Sequence, residues 1–175
     1  MKEEFIGDFL DSLEEGGINF VSGLPDSWLR NVIEAIEKDP RFIYVPVCNE
    51  GVGFSICTGA WLGGKKPALI MENSGLRVAS ESIARLNFHL GGGGGGHGIG
   101  TLIVVSYRGD IGDTEFWSVP HAMTLEPFLK ALRIPYLIVR DAKDLRKGVL
   151  RAAKAAFRFM NPAAIVISGN LTMED

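Results

Sequence analysis

Apolar residues recur along the chain in two alternating rhythms. Short runs rich in β-branched residues (Ile18 to Ser22, Phe42 to Val47, Ala68 to Met71, Thr101 to Ser106, Tyr136 to Val139, Ala164 to Ile167) have the length and composition of strands. Between them lie longer stretches whose apolar positions return every three or four residues, the spacing of one helix face. Phe5, Ile6, Phe9, Leu10 and Leu13 share such a face over Glu3 to Glu15; Leu29, Val32, Ile33 and Ile36 share another over Trp28 to Lys38. This alternation predicts six buried strands in an open, doubly wound, mostly parallel α/β sheet, with helices on both faces and right-handed crossovers. In such sheets ligands sit in the loops leaving the carboxyl ends of the strands, here the loops after Ser22, Val47, Met71 and Ser106.

The boundaries agree with this reading. Gly16 and Gly17 end the first helix, Gly63 and Gly64 the third, and Asp26 and Ser27 stand where they can cap the helix beginning near Trp28. Six consecutive glycines, Gly91 to Gly96, followed by His97 and Gly98, predict a flexible loop over 91–98. Length and composition, 175 residues at 46% hydrophobic, suit a single domain over 1–175 with a substantial core. With 18 Lys and Arg against 21 Asp and Glu and no basic tract, nucleic acid is not an expected partner. No apolar run reaches the roughly 20 residues that cross a bilayer, and the charged opening from Met1 to Glu4 is unlike a signal peptide. A cytoplasmic protein with no membrane association is expected, with Cys48 and Cys57 as reduced, packed thiols.

Familiar motifs fail on context. Gly93, Gly95 and Gly98 precede a strand, the reverse of a dinucleotide fingerprint; Gly51 and Gly53 follow one, but Ile56 stands where a small residue is needed for close packing. There is no phosphate loop and no nucleophile elbow, and His89, His97 and His121 are too scattered to propose a metal. The stretch from Val45 to Gly75 is more informative because its features interlock. Glu50 follows a strand; a helix with Gly51, Gly53, Ser55, Gly59 and Ala60 comes next, small enough for another backbone or a flat ligand to approach; a second strand then ends in Asn73, Ser74 and Gly75. Taken alone, Glu50 also reads as a solvated carboxylate favoured by the helix dipole.

Glu50 with Gly51, the segment A-W-L-G-G-K-K-P-A-L-I-M-E-N-S-G-L from Ala60 to Leu76, and S-Y-R-G-D from Ser106 to Asp110 together resemble the pyrimidine-binding (alpha) subunit of sulfopyruvate decarboxylase and the related phosphonopyruvate decarboxylases. G-L-P-D-S at Gly23 to Ser27 and L-R-I-P-Y at Leu132 to Tyr136 match in order and spacing, so the resemblance covers most of the chain. It implies the thiamine diphosphate-binding fold, pyrimidine domain, and a subunit that decarboxylates a small 2-oxo acid to an aldehyde. In that family the glutamate matching Glu50 bonds to the aminopyrimidine of thiamine diphosphate and so activates the thiazolium carbon. The resemblance makes Glu50 catalytic and cofactor-binding, with Asn73, Ser74 and Gly75 lining the pyrimidine side. The G-D-G motif that holds diphosphate and magnesium is absent from the chain. The resemblance places that domain in a separate beta subunit or in the second half of a longer chain; the implied partner is a beta subunit carrying G-D-G and the magnesium, in a hetero-oligomer packed through the small-residue helix, with self-association as well.

Past the fourth strand, Arg108 is a planar donor suited to a carboxylate, sulfonate or phosphonate, and His121 can shuttle a proton as a second catalytic group. Pro25 joins Arg108 among the substrate-binding positions. A surface salt bridge for Arg108 and a capped turn for His121 before Thr124 are the corresponding structural readings. Glu72 stands where the family usually has glutamine, and Arg77 where it has glycine. A non-catalytic partner of the same fold, or a thiamine-dependent carboligase, remain the alternatives.

Overall fold

A computed structural model describes residues 1–90 and 98–172. The predicted alternation is realised as α1 (Glu3–Glu15), β1 (Phe20–Gly23), α2 (Arg30–Lys38), β2 (Ile43–Pro46), α3 (Glu50–Leu62), β3 (Pro67–Glu72), α4 (Asn73–Arg85), β4 (Leu102–Ser106), α5 (Val119–Ala131), β5 (Tyr136–Val139), α6 (Leu145–Phe159) and β6 (Ala163–Ile167). All six strands form one sheet in the order β2-β1-β3-β4-β6-β5, and every neighbouring pair is parallel.

The period of two along the strands sorts the core into two layers. Ala68, Ile70, Leu102, Val104, Ile165 and Ile167 face the layer shared with α1, α2 and α6. Leu69, Met71, Ile103, Val105, Ala164 and Val166 face the layer shared with α3, α4 and α5. The amphipathic faces read from the sequence lie inward: Phe9, Leu10 and Leu13 on α1, and Val32, Ile33 and Ile36 on α2, are buried.

Two expectations are corrected. Burial of all six strands does not hold: β2 and β5 are the sheet edges, and Ile43 is 50% exposed. Helices cover the central strands on both faces, whereas an edge strand has a neighbour on one side only. The second helix also starts later than Trp28. Asp26 Oδ1 accepts from Trp28 N at 2.6 Å and so caps a turn, while α2 begins at Arg30 with no side-chain cap. The Ser27 hydroxyl is engaged elsewhere, accepting from Arg108 Nη1. Most of the glycine loop expected at 91–98 lies outside the described residues. Its last member, Gly98, accepts a hydrogen bond from Trp61 Nε1.

The strand order reverses between β1 and β3, which makes a switch point. In an open parallel sheet the crevice beyond the carboxyl ends at that point is where ligands bind. The turns after β1, β2, β3 and β4 open there, and they carry the residues of interest.

Candidate active site

Glu50 owes its position to the residue before it. Asn49 is the N-cap of α3, its Oδ1 accepting from Gly51 N at 2.9 Å and Val52 N at 3.2 Å, so that Glu50 is the first helical residue. Glu50 is only 7% exposed. Its side chain lies over the α-carbon of Gly75 in the first turn of α4: a Cβ at Gly75 would sit 2.6 Å from both Cγ and Oε1 of Glu50. Gly51 does the same for the helix pair, since a Cβ there would sit 2.9 Å from Ser82 Oγ on α4. These two glycines let α3 and α4 close on one another and bury the acid between them. No hydrogen-bond partner for the Glu50 carboxyl exists among the described residues. Val52, two residues along α3, is 48% exposed, and the acid lies against Gly75 instead. Cys57 is buried, which pushes its thiol up to about 12, whereas Cys48 is exposed rather than packed.

Asn73 opens α4 and is 1% exposed. Its Nδ2 donates to the Arg108 carbonyl at 2.8 Å, tying the end of β3 to the turn after β4. Its Oδ1 is buried without a partner. A native interior rarely leaves such an acceptor unmatched, so the atom marks a place where a donor belongs. Ser74, beside it, is half-buried.

Arg108 is not on the surface. Its side chain is 5% exposed, with Nε donating to Asp113 Oδ2 at 3.0 Å and Nη1 to Ser27 Oγ at 3.0 Å. The guanidinium lies between two indoles, 4.7 Å from the Trp28 ring centroid and 4.6 Å from that of Trp117. Asp113 also accepts from Gly109 N and Glu115 N. Burial works against its charge, but the Arg108 guanidinium and these amides hold the carboxyl down at about 2. The turn depends on Gly109, whose φ is +81° and where a Cβ would fall 2.4 Å from the Ser118 carbonyl oxygen. The third guanidinium nitrogen, Nη2, has no hydrogen bond among the described residues.

His121 lies in the first turn of α5, where its Nδ1 meets Arg77 Nη2 at 2.7 Å. Arginine only donates, so Nδ1 accepts and the neutral ring carries its proton on Nε2. Arg77 Nη1 donates to Thr124 Oγ1 at 2.6 Å. Arg77 thus fastens α4 to α5. The imidazole meets the Trp117 ring edge-on at 6.2 Å, which links it to Arg108 through that indole. Pro25 is exposed on the turn after β1. Sequence reasoning treated the next residue, Asp26, only as a cap; its second oxygen accepts from Ser106 Oγ at 2.9 Å, at the end of β4. A carboxylate directly after the first strand of a switch-point sheet was the available signal.

An α/β sheet whose switch-point crevice holds a buried, unpartnered carboxyl and an orphaned amide oxygen is of the ligand-binding, doubly wound class. No protein-family model matches the chain. It is 29% identical over 158 residues to sulfopyruvate decarboxylase subunit alpha of Methanocaldococcus jannaschii, covering 89% of this chain and 88% of that one. It is 38% identical over 79 residues to phosphonopyruvate decarboxylase of Streptomyces viridochromogenes, covering 45% of this chain and 20% of that one. The fold is shared with a solved 2-oxoglutarate:ferredoxin oxidoreductase from Magnetococcus marinus, at a TM-score of 0.74 and 17% identity over 97% of this chain and 29% of that one. The resemblance read from the motifs is borne out: relatives along most of the chain are sulfopyruvate decarboxylase alpha subunits.

Two outcomes are expected. Gly75→Ala leaves unfolding by denaturant close to that of the parent, because the group it meets is a flexible side chain, but it drives the Glu50 carboxyl from its seat, so a crystal structure will show Glu50 in another rotamer. Asp113 contributes stability that is present above 3.8 and lost as pH falls toward about 2, the direction for an acid whose folded pKa is depressed. Asp113→Asn should remove roughly 2 kcal/mol of this acid-side dependence, measured by denaturant unfolding across that range.

Proposed function

We propose that this chain is the cofactor-activating subunit of a thiamine diphosphate-dependent decarboxylase of small 2-oxo acids such as sulfopyruvate or phosphonopyruvate, releasing the aldehyde and carbon dioxide. The observation that carries this reading is the Glu50 carboxyl, buried over Gly75 with no partner of its own among the described residues. The alpha-subunit relatives, similar over nearly their whole length, support it.

The residues present fit the cofactor's pyrimidine end. Glu50 would hold the aminopyrimidine nitrogen and exchange a proton with it. Asn73 Oδ1 supplies the acceptor for an amino group, and the Ser74 hydroxyl lies beside it. The bare α-carbon of Gly75 keeps the approach to Glu50 open. When bound, thiamine diphosphate supplies the electron sink for the bond that releases carbon dioxide. Arg108, oriented by Asp113, Ser27 and the two indoles, would offer Nη2 to the anionic group of the substrate, with Pro25 as a further substrate-binding position on the turn after β1. His121 offers its Nε2 proton on the same side.

In this reading a beta subunit carrying G-D-G holds the diphosphate and its magnesium and completes the site. The outward face of α3, α4 and α5 suits such a partner and further self-association, since Val52, Leu62, Val78 and Met123 are exposed there. No described helix is long and apolar enough to cross a membrane. Free cysteines accord with a reducing cytoplasm as the place of action.

Calorimetric titration with thiamine diphosphate and magnesium tests the proposal, comparing the chain alone with the chain assembled with its beta subunit. Binding is expected for the assembly only, and Glu50→Gln should lower carbon dioxide release from sulfopyruvate or phosphonopyruvate by about a hundredfold or more with assembly intact. Tight binding by the isolated chain would refute the split site. Unchanged turnover would refute the role of Glu50, and no binding by either would make the chain a non-catalytic partner.

A further inference from the structure

On the layer of the sheet opposite α3, α4 and α5, the surface charges are sorted by sign. Every charged residue of α1 is acidic, and every charged residue of α6 is basic. The two helices lie side by side: Leu10 and Leu13 of α1 share a core layer with Val149 and Ala153 of α6, and a Cβ at Gly16 would sit 3.1 Å from Ala153 Cβ. Glu4, Asp8, Asp11 and Glu15 on α1 are exposed, as are Lys147, Arg151, Lys154 and Arg158 on α6. Both sets step by four, three and four residues, which puts each on one line along its helix, roughly 16 Å long.

The chain uses little of this charge internally. Arg146 pairs with Glu15 at 2.6 Å, the one ion pair between the two helices among the described residues. Arg41 takes Asp11 at 2.8 Å and Glu14 at 2.7 Å. Glu3, Glu4 and Asp8, and the whole row of Lys147, Arg151, Lys154 and Arg158, have no ion pair among the described residues. Other exposed helical charges are matched within their own helix, as in Arg30–Glu34, Arg85–Glu81 and Lys130–Glu126. Like charges three and four residues apart repel one another, so the basic row costs α6 stability unless an acidic surface meets it. That row borders a groove of about 400 Å³ whose walls include Lys147, Leu150, Arg151 and Lys154, a shape that a protruding helix can enter.

We propose that a second copy of this chain covers this face, the acidic row of α1 in each copy lying on the basic row of α6 in the other about a two-fold axis between them. A two-fold sets each patch on its complement twice over, so both rows are matched by one kind of partner. The four-three-four spacing is the same read from either end, so the rows match whichever way the helices run against each other. A foreign polyanion, such as a nucleic acid or an anionic bilayer, would gain from α6 and be repelled by α1 beside it; a basic partner would meet the reverse. Leu150 and Ala155, half-buried among the bases, add apolar contact. Because α3, α4 and α5 lie on the other layer, the pairing leaves Glu50 and the surface for a beta subunit free. It does not depend on the decarboxylase reading.

Sedimentation velocity on the full chain, and on its complex with the beta subunit, tests the pairing. At low salt the chain should run as a dimer, and at about 1 M salt, where charges are screened beyond roughly 3 Å, it should dissociate. Arg151→Glu with Lys154→Glu, and separately Glu4→Lys with Asp8→Lys, should each weaken self-association by about a hundredfold or more, with the circular dichroism of the parent. Mixing these two variants should restore a dimer, since each then offers the other opposite charge in both rows, a rescue that a misfolded chain cannot give. In the complex, either variant should keep beta subunits bound while the particle mass falls by about half or more. A parent chain that is monomeric at low salt, a dimer indifferent to both reversals, or a mixture that stays monomeric would overturn the proposal. So would a monomeric parent that is retained on heparin through Arg151 and Lys154, which would assign the basic row to a polyanion.

Discussion

The seat of the Glu50 carboxyl on the bare α-carbon of Gly75 is the contact on which the site depends. Any side chain at Gly75 would occupy the space the acid fills, and any side chain at Gly51 would push α3 from α4. The closeness of these helices makes the environment in which a carboxyl is buried with no cation paired to it among the described residues. Asn49 fixes where the helix starts, and hence that Glu50, not a neighbour, faces the crevice. An N-cap, a pair of glycines and the parallel sheet beneath them together present one acid to one point.

Around that acid, carboxyl groups have been given different surroundings. Asp113 lies against Arg108 and two amides and is held ionised. Asp26 is half-buried, with an amide and a hydroxyl as its donors, and its carboxyl is raised above the ordinary value by burial first and then by the charge of Glu72. Neighbouring acids of one crevice thus differ in how tightly each holds its proton. The Trp28–Arg108–Trp117 stack gives the division its rigidity, since it joins the turn after β1 to the loop after β4.

Much of this was legible in the sequence, for physical reasons. The six strands and α1 were readable because apolar period and Gly stops act locally, and the switch-point loops followed from the α/β alternation. Which strands are edges was not readable, since β2 and β5 differ from the others by sheet order rather than by composition. Glu50, Asn73 and Gly75 stood out within one interlocking segment. The burial of Arg108 did not, because its partners Ser27, Trp28, Asp113 and Trp117 come from separate parts of the chain. Asp26 looked like a cap and is one, for a turn; that its other oxygen reaches Ser106 is a property of the fold alone.

The most direct test of the central claim needs no knowledge of the substrate. Hydrogen–deuterium exchange at the reactive thiazolium carbon of thiamine diphosphate, followed by quenched-flow NMR in the assembled complex, reads cofactor activation itself. The account predicts exchange strongly accelerated over the free cofactor in the parent complex, and lost in Glu50→Gln at saturating cofactor. Equal acceleration in both would contradict it, and would mean that the buried carboxyl is part of the fold and not of the chemistry.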